Sequence, residues 1–146
     1  MVENDIEILL VEDNLNDVKL TLDAFREQKV AHRIQVVRDG AEALDFLFRT
    51  GAYANRSNHF PQLILLDLKL PKVTGLEVLA RIRADPRTRA LPVVVHTSSR
   101  EEKDLVESYR LHVNSYLVKP VDFEQFSAAI REIGNYWLLL NQLPKM

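Results

Sequence analysis

The sequence predicts an α/β protein, a parallel sheet with helices on both faces, built as one domain of 146 residues. Three observations predict it. Apolar runs of strand length alternate with helix-period stretches from one end of the chain to the other. The run Leu63-Ile64-Leu65-Leu66 is continuously apolar, as a strand covered on both faces must be, and such strands belong to parallel sheets. The length allows about two-thirds of the unfolded chain's surface to be buried, so the core needs no disulfides, and the chain has no cysteine.

Taken in order, residues 6–11 form the first strand, and the helix after it carries Val18, Leu22 and Phe25 on one stripe. Residues 33–37 are the second strand. A helix over 40–49 follows with Ala43, Leu44, Leu47 and Phe48, stopping near Gly51. Residues 52–60, rich in Asn, Ser and aromatic residues, read as a surface loop longer than the connections usual in such folds. The third strand runs from Gln62 into Asp67, and a helix over 73–84 carries Leu76, Leu79 and Ile82 before Asp85-Pro86 closes it. Residues 92–96 are the fourth strand. The helix over 100–111 is polar, which predicts weak anchoring and a face open to partners. A fifth strand over 115–118 ends at Lys119-Pro120, and a fifth helix over 123–133 turns Phe126, Ile130 and Ile133 inward. Residues 1–134 thus make the domain, and 135–146 an apolar extension containing Tyr136, Trp137 and Leu138-Leu139-Leu140. That extension either folds back over its own domain or docks on a second copy of the chain.

Nineteen basic residues against twenty-one acidic give a net charge of −2, which provides no field to draw the chain onto nucleic acid or an anionic membrane. Neither partner is expected. Arg81, Arg83, Arg87 and Arg89 are interleaved with Glu77 and Asp85 and read as a solvated face. Four glycines, none in a phosphate-cradling spacing, exclude a nucleotide loop. No basic-then-apolar leader and no run of membrane-spanning length occur, so a cytoplasmic protein is expected.

In open parallel sheets the ligand crevice lies outside the carboxyl ends of the strands. Asp67 falls there, and so do Glu12 and Asp13 after the first strand. Strands lie about 5 Å apart, so three acids at that edge repel unless a cation sits among them. Oxygen donors without histidine or thiol favour magnesium. Capping of the following helix by Asp13, Asn14 or Asn16 would explain one acid but not the pair that meets Asp67. Thr97 ends the fourth strand and Lys119 the fifth, adding a hydroxyl and an ammonium. Acids, metal, hydroxyl and point charge together suit a phosphoryl group, with Asp67 as the nucleophile that forms an aspartyl phosphate.

These residues, over nearly the whole chain, resemble the receiver domain of two-component response regulators. The resemblance implies a flavodoxin-like, doubly wound five-stranded sheet in the order 2-1-3-4-5 with five helices. It implies Asp67 as phosphoacceptor, Thr97 and Tyr116 as switch residues, and magnesium held by Glu12, Asp13, Asp67 and the Lys69 carbonyl. It further implies that Lys119 holds the phosphoryl group, that the bond before Pro120 is cis, and that a sensor histidine kinase is the donor. A narrower resemblance, to single-domain regulators that accompany phytochromes, rests on the 51–61 loop, the run from Ser108 to Tyr116 and the tail from Asn135 to Pro144. It implies a phytochrome as the kinase and a homodimer through the fourth and fifth helices and the tail. With no output domain in the sequence, the signal would pass by protein contact or onward phosphotransfer.

Two positions depart from the family pattern. Lys69 stands where Asn is frequent, and a cation there could hold the phosphate or hinder the hydrolytic water. It also argues against an aspartyl-nucleophile phosphatase, since such enzymes commonly place a second acid at that spacing. His96 stands where an apolar residue is usual, and a satisfied, half-buried histidine is expected rather than a pH sensor. A phosphorylation-independent adaptor is disfavoured by the full set of acids with Thr97 and Lys119.

Overall fold

Four-residue apolar runs become strands because alternate side chains find cover on opposite faces of one sheet. The computed structural model describes residues 6–28 and 33–142; residues 1–5 and the Leu143 and Pro144 of the expected tail lie outside the described residues. In chain order the elements are β1 (Ile8–Val11), α1 (Leu15–Gln28), β2 (Ile34–Val37), α2 (Gly40–Phe48), β3 (Leu63–Leu66), α3 (Gly75–Ala84), β4 (Val93–Thr97), α4 (Glu102–Arg110), β5 (Ser115–Val118) and α5 (Phe123–Gly134). The strands are parallel in the order β2-β1-β3-β4-β5, as the resemblance implies. Pairings Val11↔Leu66, Leu66↔Val95 and Thr97↔Val118 bring the carboxyl ends of the four strands that matter to one edge.

Leu9, Val11, Ile64, Leu66, Val93 and Val95 face one layer with Phe46, Leu47, Val78, Leu79 and Ile82 of α2 and α3. The intervening Ile8, Leu10, Leu63, Leu65 and Val94 face the other, with Val18, Phe25, Phe126, Ile130 and Ile133 of α1 and α5. Every residue of β1, β3 and β4 is buried, which accounts for the unbroken apolar spelling of β1 and β3 and of Val93-Val94-Val95 in β4.

Polar side chains set the helix starts. Asn14 Oδ1 accepts from the Asp17 N–H (3.0 Å), and Asp39, Thr74 and Asp122 cap α2, α3 and α5. Because Asn14 takes the capping duty, Asp13 is left for the sheet edge. Gly75 is demanded by proximity: a Cβ there would lie 2.3 Å from the Asp67 carbonyl oxygen and 2.5 Å from Leu68 Cα. The amino end of α3 is therefore pressed against the turn that carries Asp67.

Two expectations change in detail. The α2 helix stops one residue short of the expected 49, with Arg49 itself left-handed (φ 56°), and Phe46 rather than Phe48 is the buried aromatic ring. Arg56 stacks over Phe46 at 4.0 Å and donates to the Phe46, Ser57 and His59 carbonyls, fastening the long loop. Beyond α5 the chain continues as a π-helical segment, Asn135–Leu140, closed by an Asn141 N–H to Tyr136 carbonyl bond of 2.7 Å. Trp137 and Leu138 pack on the α1/α5 layer, whereas Tyr136, Leu139 and Leu140 stay exposed. The segment thus folds back along one side and leaves an apolar face on the other. Among the described residues no helix is long and apolar enough to cross a membrane.

Candidate functional site

Because each acid follows a buried strand directly, backbone pairing places it before any side-chain contact does. The Glu12 N–H donates to the Val37 carbonyl (3.0 Å), the Asp67 N–H to Val11 (3.0 Å) and the Lys119 N–H to Thr97 (2.7 Å). Lys119 Nζ then reaches Glu12 Oε1 at 2.6 Å, Asp17 Oδ2 at 2.8 Å and Asp67 Oδ2 at 2.9 Å. The second Asp67 oxygen accepts from the Lys69 N–H at 3.2 Å. Glu12 and Asp67 are buried, and Asp13 is half-buried beside them, its carbonyl taking Arg38 Nη2 at 2.6 Å. Thr97, fully buried, accepts the Ser99 N–H at its hydroxyl, and the Tyr116 hydroxyl donates to the Ser99 carbonyl at 3.1 Å.

Electrostatics follow from three carboxylates sharing one ammonium. Burial and the neighbouring Asp67 charge push the Glu12 carboxyl up to about 7, against the pull of Lys119. Burial also pushes the Asp67 carboxyl up, but the Lys119 charge and hydrogen bond, with Thr97 and Glu12, outweigh it and hold Asp67 below the usual range. Burial alone would lower Lys119, yet its bonds to Asp17 and Glu12 and the nearby acid charges hold it above the ordinary ammonium value. Asp67 is thus held ionised in a site short of positive charge.

Glu12, Asp13 and Asp67 each offer one oxygen within 4.8 Å of the others. An all-oxygen donor set with one acid forced toward its neutral form fits a hard divalent cation, since a cation would offset the burial and the Asp67 charge that together raise Glu12. Lys69 is exposed, and its amide points to Asp67.

Asp17 is the site residue the sequence reading missed. It lies in the first turn of α1, where its N–H meets the Asn14 cap, and no strand-end position marks it in the sequence. His96 departs from expectation: it is 3% exposed rather than half-buried, its Nε2 has no hydrogen-bond partner, and its ring meets Phe126 edge-on at 5.0 Å. Burial, then the Lys119 charge, lowers it to about 4, so it is neutral near pH 7. The Lys119-Pro120 bond is trans, since no cis bond occurs among the described residues, which corrects the expectation for Pro120. The trans and cis forms of an X-Pro bond differ by only about 0.5–1 kcal/mol, and the trans chain already seats Lys119 on Thr97 and its three carboxylates. A cavity of about 760 Å³ lined by Phe60, Pro61, Arg87 and Pro92 lies at the opposite edge of the sheet and touches none of these groups.

A five-stranded parallel sheet with a paired acid, a strand-end aspartate, a threonine and a lysine at one edge defines a receiver. The chain belongs to the response regulator receiver domain family, which it matches over residues 8–131. It is 46% identical over 97% of its length to the probable methanogenesis regulatory protein FilR2 of Methanothrix harundinacea, covering 90% of that protein. It is 42% identical over 94% of its length to response regulator Rcp1 of Synechocystis, covering 92% of it, and a crystal structure of the Mn(2+)-bound form of Rcp1 matches with a TM-score of 0.89 at 41% identity, over 94% of this chain and 98% of that one. The phosphorylated cyanobacterial phytochrome response regulator RcpA matches with a TM-score of 0.89 at 45% identity, over 94% of this chain and 97% of that one. The protein is therefore a response regulator receiver, a signalling protein related to phytochrome response regulators.

Proposed function

We propose that the protein is a single-domain response regulator that accepts a phosphoryl group on Asp67 from a sensor histidine kinase and signals by rearranging its α4–β5–α5 face. The observation that carries it is the Asp67 carboxylate, ionised, buried and held between Lys119 Nζ (2.9 Å) and the Lys69 amide (3.2 Å). An Asp67 oxygen attacks phosphorus as the bond from phosphorus to the donor imidazole breaks, and the imidazole leaves with the bonding pair and regains its proton from solvent. Glu12, Asp13, Asp67 and the Lys69 carbonyl would hold magnesium, which supplies charge neutralisation for the phosphoryl oxygens. Lys119 is drawn from its three carboxylates toward the new phosphoryl oxygens. The Thr97 hydroxyl hydrogen-bonds another, and Tyr116 follows it inward.

Phytochrome is the proposed kinase class, supported by the likeness to RcpA and Rcp1. The comparable likeness to FilR2 favours as second reading a kinase of another stimulus. The exposed Tyr136, Leu139 and Leu140 support a homodimer through the tail. The chemistry is self-directed, limited to phosphoryl uptake and loss in a cytoplasmic protein. The test is transfer of labelled phosphoryl groups from autophosphorylated phytochrome-type and other sensor kinases onto wild type and Asp67→Asn. Label on wild type alone supports the acceptor. Label on both removes Asp67 from the role, and transfer only from other kinases removes phytochrome.

A further inference from the structure

Ser99 was singled out by no motif, yet four hydrogen bonds meet on it. It is 2% exposed. Its N–H donates to Thr97 Oγ1 (3.3 Å), its hydroxyl donates to Asp104 Oδ2 (2.5 Å) and accepts the Glu101 N–H (3.3 Å), and its carbonyl accepts the Tyr116 hydroxyl (3.1 Å). We propose that Ser99 is a positioning residue that ties the Thr97 hydroxyl to the start of α4 through a latch closed on Asp104, and so makes α4 and Tyr116 respond together. The inference deepens the phosphoacceptor reading of Asp67 and rests on it.

The α4 helix is otherwise poorly held. Helices in proteins are stabilised mainly by packing an apolar face. The α4 helix has one buried side chain, Ser108, whose hydroxyl has no partner, while Val106 and Tyr109 are exposed. Its N-cap position, Glu101, makes no side-chain cap bond, and the Ser99 hydroxyl takes the Glu101 N–H instead. A hydrogen bond to an ionised acceptor is about twice as strong as a neutral one, and the Ser99–Asp104 bond is of that kind and half-buried. The start of α4 therefore hangs on a polar contact that one buried serine controls.

The same serine senses the site. Thr97 Oγ1 now accepts the Ser99 N–H, so drawing Thr97 toward a phosphoryl oxygen on Asp67 weakens that bond and displaces Ser99. Displacing Ser99 loosens Asp104 through its hydroxyl, while its carbonyl carries the Tyr116 hydroxyl along in the same movement. Among the described residues no hydrogen bond joins Tyr116 to α4 directly; Ser99 is their common hydrogen-bonded node.

The test combines intact mass with amide exchange across residues 102–110, using Ser99→Ala, Asp104→Ala, Asp104→Asn and the double alanine variant. In unphosphorylated protein each alanine variant is expected to raise α4 exchange by about tenfold, with the double variant no worse than either. Asp104→Asn, which keeps an acceptor oxygen, restores most of the protection. All variants still take up one phosphoryl group, but the exchange change that phosphorylation causes in wild-type α4 shrinks to near zero in the alanine variants. A merely structural serine would raise exchange equally in both states and leave that difference intact, which would overturn the proposal, as would additive effects of the two alanines. Failure of wild type to take up phosphate is a separate outcome, read by mass, and would remove the Asp67 reading on which the proposal stands.

Discussion

Glu12 and His96 are pulled off their ordinary titration ranges in opposite senses by the same buried ground around Lys119. Glu12, ordinarily near 4.5, is raised to about 7, so the folded chain binds a proton that the unfolded chain releases between those values. Its contribution is present below pH 4.5 and lost as pH rises through 7. His96, ordinarily near 6.5, is lowered to about 4, so the unfolded chain binds the proton first; its contribution is present above pH 6.5 and lost as pH falls toward 4. Each is worth about 3 kcal/mol over its full window, and between pH 5 and 6.5 the slopes oppose. Urea unfolding without metal is expected to change little over that interval. His96→Val should make stability fall with rising pH, and saturating magnesium, by keeping Glu12 ionised, should make it rise by roughly 1.4 kcal/mol per pH unit. A His96→Val protein with the wild-type profile would contradict the assignment. Glu12, Asp67, Thr97 and Lys119 were legible because each ends an apolar run. Asp17 and Ser99 were not, because Asp17 lies in the first turn of α1 and Ser99 two residues past β4, where side-chain direction decides contact.

At the scale of elements, α3 is positioned by the absence of a side chain. Helix propensity alone would have Gly75→Ala stabilise α3 by about 1 kcal/mol. The 2.3 Å approach to the Asp67 carbonyl demands the reverse, a loss of about 1–3 kcal/mol from overpacking. Thermal unfolding with a raised midpoint would refute the close contact. The tail divides likewise. Leu139→Asp with Leu140→Asp lies on its exposed side and should leave the fold intact while converting the proposed dimer to monomers in sedimentation; dimers that persist would remove the tail from the interface. Strands and helices were readable as periodicities, but the exit of α2 was not. There Arg49 takes the left-handed position, and the later Gly51 drew attention away from it. Nor could spelling alone divide 135–140, since Trp137 and Leu138 turn inward only because α5 continues without a break.

For the whole molecule, the order β2-β1-β3-β4-β5 sets β1 and β3 side by side and brings β4 and β5 next to them, so acids, hydroxyl and ammonium converge from segments over a hundred residues apart (Lys119 to Glu12 spans 107). Alternation of strands and helices made that sheet readable, since only helix-covered parallel strands are spelled as unbroken apolar runs. What it could not convey was how tightly Lys119 binds the acids before any phosphoryl group arrives. The central claim is that this edge carries one nucleophile. Intact mass spectrometry of wild type and Asp67→Asn, after incubation with magnesium and acetyl phosphate, tests it most directly. One added phosphoryl group on wild type and none on Asp67→Asn is the expected result; equal addition to both, or none to a wild type shown separately to bind magnesium, would contradict it.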